Sequence, residues 1–261
     1  MTRTYVVTGS ASGIGEATAT ILREQGHRVI GVDLRNADIE ADLSTTLGRD
    51  AAIAGVLTAS DSKIDGIIAA AGISAPKALT VAVNFFGVTA LLNGLAETLA
   101  QSDAPRIAVV SSMASLQQNS VELVDALLAG DEKLALEIGS ALEGQGPQVG
   151  YLNYSSSKRA LSRWVRRESI APRYAGAGIP VNAVAPGTVV TNMTRELLAS
   201  EEGRAMADAH VPMPLNGHSD AIVIARLLAW LTSEETTHVT GQTIYIDGGA
   251  DATLRGDNIW D

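Results

Sequence analysis

The chain has 261 residues, no cysteine and a formal net charge of −10 at pH 7. One α/β domain of this length buries a core without disulfides or a metal, and the lack of cysteine excludes thiol chemistry and cysteine-bound zinc. The acidic balance argues against a nucleic-acid partner, which needs a broad basic surface. The start runs into a strand without the apolar stretch of a signal peptide, and no apolar run approaches the roughly 20 residues of a membrane span. We therefore expect a cytoplasmic protein with no membrane partner.

Short apolar runs alternate with longer amphipathic stretches, a pattern typical of a parallel sheet with helices on both faces. Strands are predicted at residues 3–8, 28–33, 65–71, 106–112, 180–185 and 243–247, with a weaker one ending near Asp42. Helices are predicted at residues 13–25, 81–100, 153–174 and 220–231. Gly26 would end the first helix, and Ser44 would cap the helix after the weak strand. Right-handed crossovers give an α/β fold, a single-domain Rossmann-like doubly wound parallel sheet over residues 1–261.

The first strand and the first helix are joined by the glycine-rich sequence Thr8-Gly9-Ser10-Ala11-Ser12-Gly13-Ile14-Gly15. Gly9, Gly13 and Gly15 would let the backbone turn tightly and approach a pyrophosphate, whose charge the helix N-terminus favours. Many tight turns contain glycines, so the loop alone is weak evidence. Its place after a strand and at the opening of a helix predicts a dinucleotide site that includes Ser12 and Ile14.

Asp33 ends the second predicted strand, 24 positions after Gly9, where an acid that binds the adenosine ribose is expected. Its carboxylate can accept hydrogen bonds from both ribose hydroxyls and would repel a 2′-phosphate, and Leu34 follows it in the same site. Arg35 is the one feature that favours NADP, but a solvated turn residue is the simpler interpretation. The sequence therefore predicts NAD as the cofactor.

Tyr154 and Lys158 have the i, i+4 spacing that places two side chains on one face of a helix. A lysine cation and an oxidised nicotinamide ring nearby would lower the pKa of a tyrosine from its usual value near 10. The phenol could then exchange a proton with an alcohol or carbonyl oxygen near neutral pH. Tyr151 has Ser155 at the same spacing, so the pairing rule selects Tyr154. Taken alone, such a pair is usually a surface coincidence.

Four further motifs accompany this pair: Val83-Asn84-Phe85-Phe86-Gly87, Val110-Ser111-Ser112, Pro186-Gly187-Thr188-Val189-Val190-Thr191 and Asp247-Gly248-Gly249. With the glycine loop and the Tyr-x-x-x-Lys element, they resemble the short-chain dehydrogenase/reductase family in order and over nearly the whole chain. The resemblance implies an NAD-dependent oxidoreductase that moves a hydride between NAD and an alcohol or carbonyl. It also implies a homodimer or homotetramer, with the last strand and the helix at 220–231 as the usual dimer surface.

The resemblance assigns roles to individual residues. Ser112 would orient the substrate oxygen toward Tyr154, and Lys158 would bind the nicotinamide ribose and tune the tyrosine. Asn84 would hold a water in the proton relay to the lysine. The other residues implied to contact the cofactor are Asp42 and Leu43 at the adenine, Ala71 and Gly72 beside its path, and Pro186, Gly187, Val189 and Thr191 at the nicotinamide.

Two departures from the family pattern stand out. The family commonly has Asn-Asn-Ala-Gly after the fourth strand, whereas this chain has Ala69-Ala70-Ala71-Gly72, so another partner must satisfy that backbone. Ser112 and Tyr154 are 42 positions apart, which is unusually far. The extra segment, about 116–149, carries helical patterns at 121–128 and 133–142 and is predicted to be a helical insertion near the mouth of the site. It is similar to the insertion of the bacterial 3-alpha-hydroxysteroid dehydrogenase/carbonyl reductase subgroup.

The insertion is acidic and the helix after it is basic. Six acids in the insertion oppose only Lys133 there, and five arginines between 159 and 173 oppose only Glu168. We expect the acidic insertion to lie near the basic helix, within or between subunits. Two separately solvated faces are an equally good interpretation, because surface ion pairs contribute little.

Residues 192–217 would form a mobile lid over the substrate by the same resemblance. Its apolar residues suit a bulky hydrophobic substrate, although ordinary helix packing explains them equally well; they are Met193, Leu197, Leu198, Met206, Val211 and Met213. The four histidines show no metal-ligand spacing, so no metal is implied. The predicted function is interconversion of a secondary alcohol and a ketone on a hydrophobic cyclic or steroid-like substrate.

Three alternatives stay open. The chain could reduce small aromatic or polar carbonyls instead. It could be a cofactor-binding regulatory protein without turnover, although the intact set of Asn84, Ser112, Tyr154 and Lys158 counts against this. It could also be an epimerase or dehydratase of the extended branch, but those chains are usually longer and have a different glycine pattern.

Overall fold

The computed structural model describes residues 2–259. Seven strands form one parallel sheet in the order β3-β2-β1-β4-β5-β6-β9, and β7 and β8 pair separately. The strands are β1 (Thr4–Thr8), β2 (Arg28–Asp33), β3 (Ile39–Glu40), β4 (Gly66–Ala69), β5 (Arg106–Val110), β6 (Val181–Pro186), β7 (Val189–Val190), β8 (Ser219–Asp220) and β9 (Thr243–Ile246).

Helices cover both faces of this sheet. They are α1 (Gly13–Glu24), α2 (Thr46–Ala59), α3 (Leu79–Val81), α4 (Val88–Leu99), α5 (Val121–Ala129), α6 (Glu132–Glu143), α7 (Pro147–Gly150), α8 (Leu152–Glu168), α9 (Arg195–Ala199), α10 (Glu201–His210), α11 (Ala221–Leu231) and α12 (Ala250–Arg255). A π-helical segment, Ala82–Gly87, joins α3 to α4, and short 3-10 turns lie at Met113–Leu116 and Ala175–Ala177.

The strand order reverses at β1, which has β2 on one side and β4 on the other. Thr8, the last residue of β1, is level with Val32 in β2 and with Ala69 in β4. The loops after these strands therefore leave the sheet at the same edge and diverge. In open α/β sheets a crevice for ligands forms at such a point, outside the carboxyl ends of the strands.

The central strands are buried on both faces, so they consist of nearly continuous apolar runs rather than alternating ones. Ile67, Ile107 and Val109 pack with the helices of one face, including α2, α4 and α8. Ile68 and Val184 pack on the other face with α1 and α11. The predicted single-domain Rossmann-like fold with a helical insertion is confirmed.

Two predicted details are wrong. The helix expected over 153–174 ends at Glu168, because Pro172 lacks the N–H that a continuing helix needs and disfavours helical backbone in the residue before it. Ser44 is not the cap of α2. The hydroxyl of Thr45 accepts a hydrogen bond from Gly48 N at 3.0 Å instead.

The insertion consists of α5, α6 and α7. Ser120 and Asp131 cap α5 and α6 through their side chains, and α5 packs against α8. Asp125 lies 3.7 Å from Arg163 of α8, so part of the acidic insertion meets the basic helix within one subunit. Both side chains are more than half exposed, and such a pair contributes little to stability.

The 21-residue helical stretch Leu79–Leu99 is long and apolar enough to cross a membrane by composition alone. The expectation that no segment approaches this length is therefore wrong. The most apolar window of the stretch is 72% buried inside the protein. Its apolar character follows from its place in the core.

Candidate active site

A cleft of about 1470 Å³ lies at the carboxyl edge of the sheet. Every residue predicted to contact the cofactor lines it, namely Gly9, Ser12, Gly13, Ile14, Gly15, Asp33, Leu34, Asp42, Leu43, Ala71, Gly72, Tyr154, Lys158, Pro186, Gly187, Val189 and Thr191. Ser112 lines it as well, whereas Asn84 is fully buried beneath its floor. Predicted residues as far apart in the sequence as Gly9 and Thr191 thus meet in one place.

The glycine loop forms a cradle at one end of the cleft. Gly9 adopts a left-handed conformation with φ +68° and donates a hydrogen bond to Val32 O at 2.9 Å. A Cβ atom on Gly15 would lie 2.1 Å from Gly9 O, so only glycine allows α1 to start this close to the loop. The hydroxyl of Ser12 does not cap α1, which leaves the first-turn N–H groups open to an anion. This end of the cleft fits a pyrophosphate.

Asp33 is held at the rim of the cradle by two backbone N–H groups. Its Oδ2 accepts a hydrogen bond from Ala11 N at 3.0 Å, and its Oδ1 accepts one from Leu34 N at 2.6 Å. Each carboxylate oxygen keeps a further lone pair for a hydroxyl. The arrangement therefore fits a ribose diol.

Tyr154 and Lys158 lie in the first two turns of α8, and both line the cleft. Burial raises the pKa of Tyr154 above its usual value, and a hydrogen bond with the Ser112 hydroxyl opposes this rise. Burial also lowers the pKa of Lys158 to about 8. The Lys158 ammonium donates a hydrogen bond to Val110 O at 2.8 Å and lies 5.9 Å from the centroid of the Tyr154 ring. In the chain by itself, desolvation of the phenol dominates its pKa. That the lysine cation and an oxidised nicotinamide ring together lower this pKa stays a prediction.

Asn84 sits in the π-helical segment behind these residues. Its Oδ1 accepts a hydrogen bond from Ile73 N at 2.9 Å, and its Nδ2 donates to Ile73 O at 3.0 Å and to Ser157 Oγ at 3.3 Å. A Cβ atom on Gly72 would lie 3.1 Å from Asn84 Oδ1 and 3.5 Å from Lys158 Nζ. Gly72 therefore leaves open the space between the asparagine and the lysine.

The backbone after β4 has a hydrogen-bond partner that replaces the asparagine side chains missing from this chain. Ala71 N donates a hydrogen bond to Thr8 Oγ1 at 3.0 Å. The hydroxyl at the end of β1 thus satisfies one amide in the alanine turn that replaces the asparagine pair.

The apolar residues of the predicted lid fall into two groups, those that line the cleft and those that do not. Met193, Leu197, Met206 and Val211 line the cleft, but Leu198 and Met213 do not. Met213 packs instead beside Gly187 and Gly248, and its sulfur accepts a hydrogen bond from Thr188 N at 3.2 Å. It supports the loop after β6 rather than facing the substrate.

Several residues of the cleft escaped sequence reasoning: Leu116, Gln117, Gln118, Gln148, Tyr151, Leu152, Leu254 and Arg255. They come from the two ends of the insertion, the start of α8 and the C-terminal helix α12. No short motif connects these segments, so only the fold brings them together. Arg255 is paired with Asp251 and stacks over the Tyr245 ring.

Across residues 2–259, no group of three or more potential ligand side chains is placed to hold a metal ion.

Comparisons with known proteins agree with this site. A family model described as enoyl-(acyl carrier protein) reductase matches residues 9–251. The chain is 36% identical over 255 residues to a 3-alpha-hydroxysteroid dehydrogenase/carbonyl reductase of Comamonas testosteroni, covering 96% of this chain and 97% of that protein. It is 33% identical to a glucose 1-dehydrogenase of Gluconobacter oxydans, covering 98% of this chain and 94% of that one.

A solved structure is similar over its whole length. It is the 3-alpha-hydroxysteroid dehydrogenase from Pseudomonas sp. B-0831 complexed with NADH, with a TM-score of 0.88 and 39% identity over 98% of this chain and 100% of that one. The predicted family resemblance is confirmed. The chain belongs to the short-chain dehydrogenase/reductase family and is an oxidoreductase.

Proposed function

We propose that this enzyme interconverts a secondary alcohol and a ketone with NAD(H), on a bulky hydrophobic substrate that is cyclic or steroid-like. The observation that carries the proposal is that Ser112, Tyr154 and Lys158 line one cleft together with the glycine cradle and the apolar residues of the lid. The similar proteins named as hydroxysteroid dehydrogenases, one of them solved with NADH, support it.

The proposed cofactor contacts follow the course of the cleft. Gly9, Ser12, Gly13, Ile14 and Gly15 surround the pyrophosphate. Asp33 and Leu34 bind the adenosine ribose, and Asp42 and Leu43 meet the adenine. Ala71 and Gly72 line the middle of the path, and Pro186, Gly187, Val189 and Thr191 hold the nicotinamide. When bound, NADH supplies the hydride that reduces the carbonyl carbon.

The chain's own residues handle the proton. Ser112 donates a hydrogen bond to the substrate oxygen and orients it toward Tyr154, whose phenol gives that oxygen a proton during reduction. A pKa above the usual value keeps the phenol protonated at neutral pH, the form that reduction needs. Lys158 binds the nicotinamide ribose, and its cation favours the phenolate left after the transfer. Asn84 holds a water in the proton relay to Lys158, and its own side chain is fixed by hydrogen bonds to Ile73 and Ser157.

Leucine and methionine side chains from the lid, the start of the insertion and α12 line the proposed substrate half of the cleft, beside polar residues such as Gln118 and Gln148. Met193, Leu197 and Met206 are each partly exposed at the cleft, and flexible methionines adapt to large apolar ligands. A panel of steroids, cyclic ketones and aromatic alcohols, followed by NADH absorbance, tests this proposal. The highest kcat/KM is expected for the steroids and cyclic ketones. Turnover confined to small polar carbonyls would reject the substrate class, and tight NADH binding without any turnover would reject the activity.

Replacing Asp33 with serine is expected to lower kcat/KM with NADH by about 10- to 100-fold, because hydrogen bonds to a charged group contribute about 1.5–3 kcal/mol. Activity with NADPH should rise, since the charge that repels the 2′-phosphate is gone. The measurement is kcat/KM with both cofactors. Asp50→Ser, at an exposed carboxylate of α2, is the matched control. Unchanged cofactor preference in Asp33→Ser would contradict the assignment.

We expect a homodimer or homotetramer, and the exposed apolar side chains of Ile222, Val223 and Trp230 on α11 support that helix as an interface. We place the enzyme in the cytoplasm without a membrane or nucleic-acid partner, because its most apolar helical stretch is occupied by its own core and the chain is strongly acidic.

A further inference from the structure

One buried arginine connects the insertion to the far end of the cleft. Arg49 lies on α2 and is only 4% exposed. Its Nε donates a hydrogen bond to Leu43 O at 2.9 Å, and its Nη2 donates one to Ser44 O at 3.0 Å. The guanidinium thus holds the backbone of the turn that carries Asp42 and Leu43, both of which line the cleft.

The other side of this guanidinium is bound by the insertion. Glu132, the first residue of α6, accepts a hydrogen bond from Arg49 Nη2 on Oε1 at 2.6 Å and one from Nη1 on Oε2 at 2.8 Å. Such two-point arginine–carboxylate pairs are strong and directional. The Phe86 ring also packs near the guanidinium, 5.9 Å from its central carbon. Arg49 is therefore fixed from both sides.

We infer that Glu132 is a positioning residue for the adenine end of the cofactor, acting through Arg49 on the turn Asp42–Ser44. This inference rests on the proposed placement of adenine beside Asp42 and Leu43. Without the carboxylate, the buried cation would keep two backbone carbonyls, the Phe86 ring and the nearby charge of Asp42, but no paired acid, and a buried charge that loses its paired acid moves toward water. The hydrogen bonds to Leu43 O and Ser44 O would be lost in that movement.

The pair between Glu132 and Arg49 gives the insertion a second role. Its two ends supply Gln118 and Gln148 to the substrate half of the cleft. Glu132, between them in the sequence, reaches the opposite half through Arg49. The insertion therefore serves the cofactor end as well as the mouth of the site.

The test compares Glu132→Gln with Glu137→Gln, a matched control on the same helix. Glu137 is exposed and is paired only with Lys133 at 3.9 Å among the described residues, so both variants lose one charge from α6. The probe is ADP-ribose, which contains the adenosine half of NAD and no nicotinamide, measured by calorimetry. We expect Glu132→Gln to bind it about 10-fold more weakly, a typical coupling within one hydrogen-bond network. The control should bind like the wild type.

Two further measurements distinguish a positioning role of Glu132 from a general loss of stability in the variant. Amide hydrogen exchange at residues 43–45, in the chain without cofactor, should be faster in Glu132→Gln than in the control. The value of kcat at saturating NADH should stay within twofold while KM for NADH rises. If Glu132→Gln does not fold, Glu132→Asp, which keeps the charge with a shorter reach, should show a smaller shift in the same direction.

Equal ADP-ribose affinity in the Glu132 variant and the Glu137 control would overturn the inference. A failure of the proposed cofactor placement gives a different result. In that case Asp33→Ser would also leave ADP-ribose binding unchanged. Weaker binding in Asp33→Ser alone would reject the role of Glu132 and leave the cofactor placement standing.

Discussion

Tyr154→Phe is expected to lower kcat by about 1000-fold, because general acid catalysis by a positioned side chain contributes about 10²- to 10⁴-fold. The variant loses one hydroxyl from a half-buried side chain and keeps the ring. NADH affinity should change little, since the proposed cofactor contacts come mostly from other residues. Ketone reduction at saturating substrate, with NADH binding measured by fluorescence, checks both expectations.

Tyr151→Phe provides the matched control for this variant. Tyr151 lines the same cleft, lies three residues earlier in the chain and is 48% exposed. The same chemical change there should leave kcat within a few-fold of the wild type. Equal losses in the two variants, or retained turnover in Tyr154→Phe, would remove the proposed proton donor.

Lys158→Met should make the protein more stable and nearly inactive. Burial lowers the pKa of Lys158 to about 8 from an ordinary value of 10.5. At pH 7 Lys158 is therefore protonated in both the folded and the unfolded chain, but the unfolded chain binds this proton more tightly. The charge on Lys158 thus opposes folding. A difference of this size corresponds to about 3 kcal/mol against folding, as an upper limit. Methionine has a similar length and no charge, so thermal unfolding should shift upward while kcat falls by about 100-fold.

The pH dependence of this gain gives the sharper measurement. Because the folded-state pKa is the lower of the two, the penalty on the wild type is fully present below pH 8 and is lost as the pH rises toward 10.5. Chemical denaturation of both proteins from pH 7 to 10.5 should show the stability gap closing over that interval. A gap that stays constant with pH would show that packing, and not the ammonium, causes the difference.

The sheet and most of the residues of the candidate site that line the cleft were predictable, because both depend on local patterns. Buried parallel strands such as Arg106–Val110 are continuous apolar runs, and the glycine loop and the Tyr154–Lys158 spacing lie within one or two turns of chain. The carboxyl ends of the strands then bring the motifs together, because all seven strands of the main sheet run in parallel.

The details that escaped prediction depend on contacts between distant parts of the chain. Arg49 and Glu132 are 83 positions apart, and each alone resembles an ordinary surface charge. The charge count of the insertion predicted a partner on the basic helix, which Asp125 has, but gave no sign that Glu132 turns to α2. The overlong helix at 153–174 is a different kind of error, because Pro172 was visible in the sequence.

The π-helical segment Ala82–Gly87 contains one residue more than a regular α-helical turn would hold. An α-helix rotates by about 100° per residue. Deletion of Val83 alone would therefore restore uniform bonding from Leu79 to Leu99 while turning the α3 end out of register with α4. The connection between Asn84 and Ile73 would not survive that rotation. We therefore expect this deletion to make the helix more regular and to lower kcat, if Asn84 has the role proposed above.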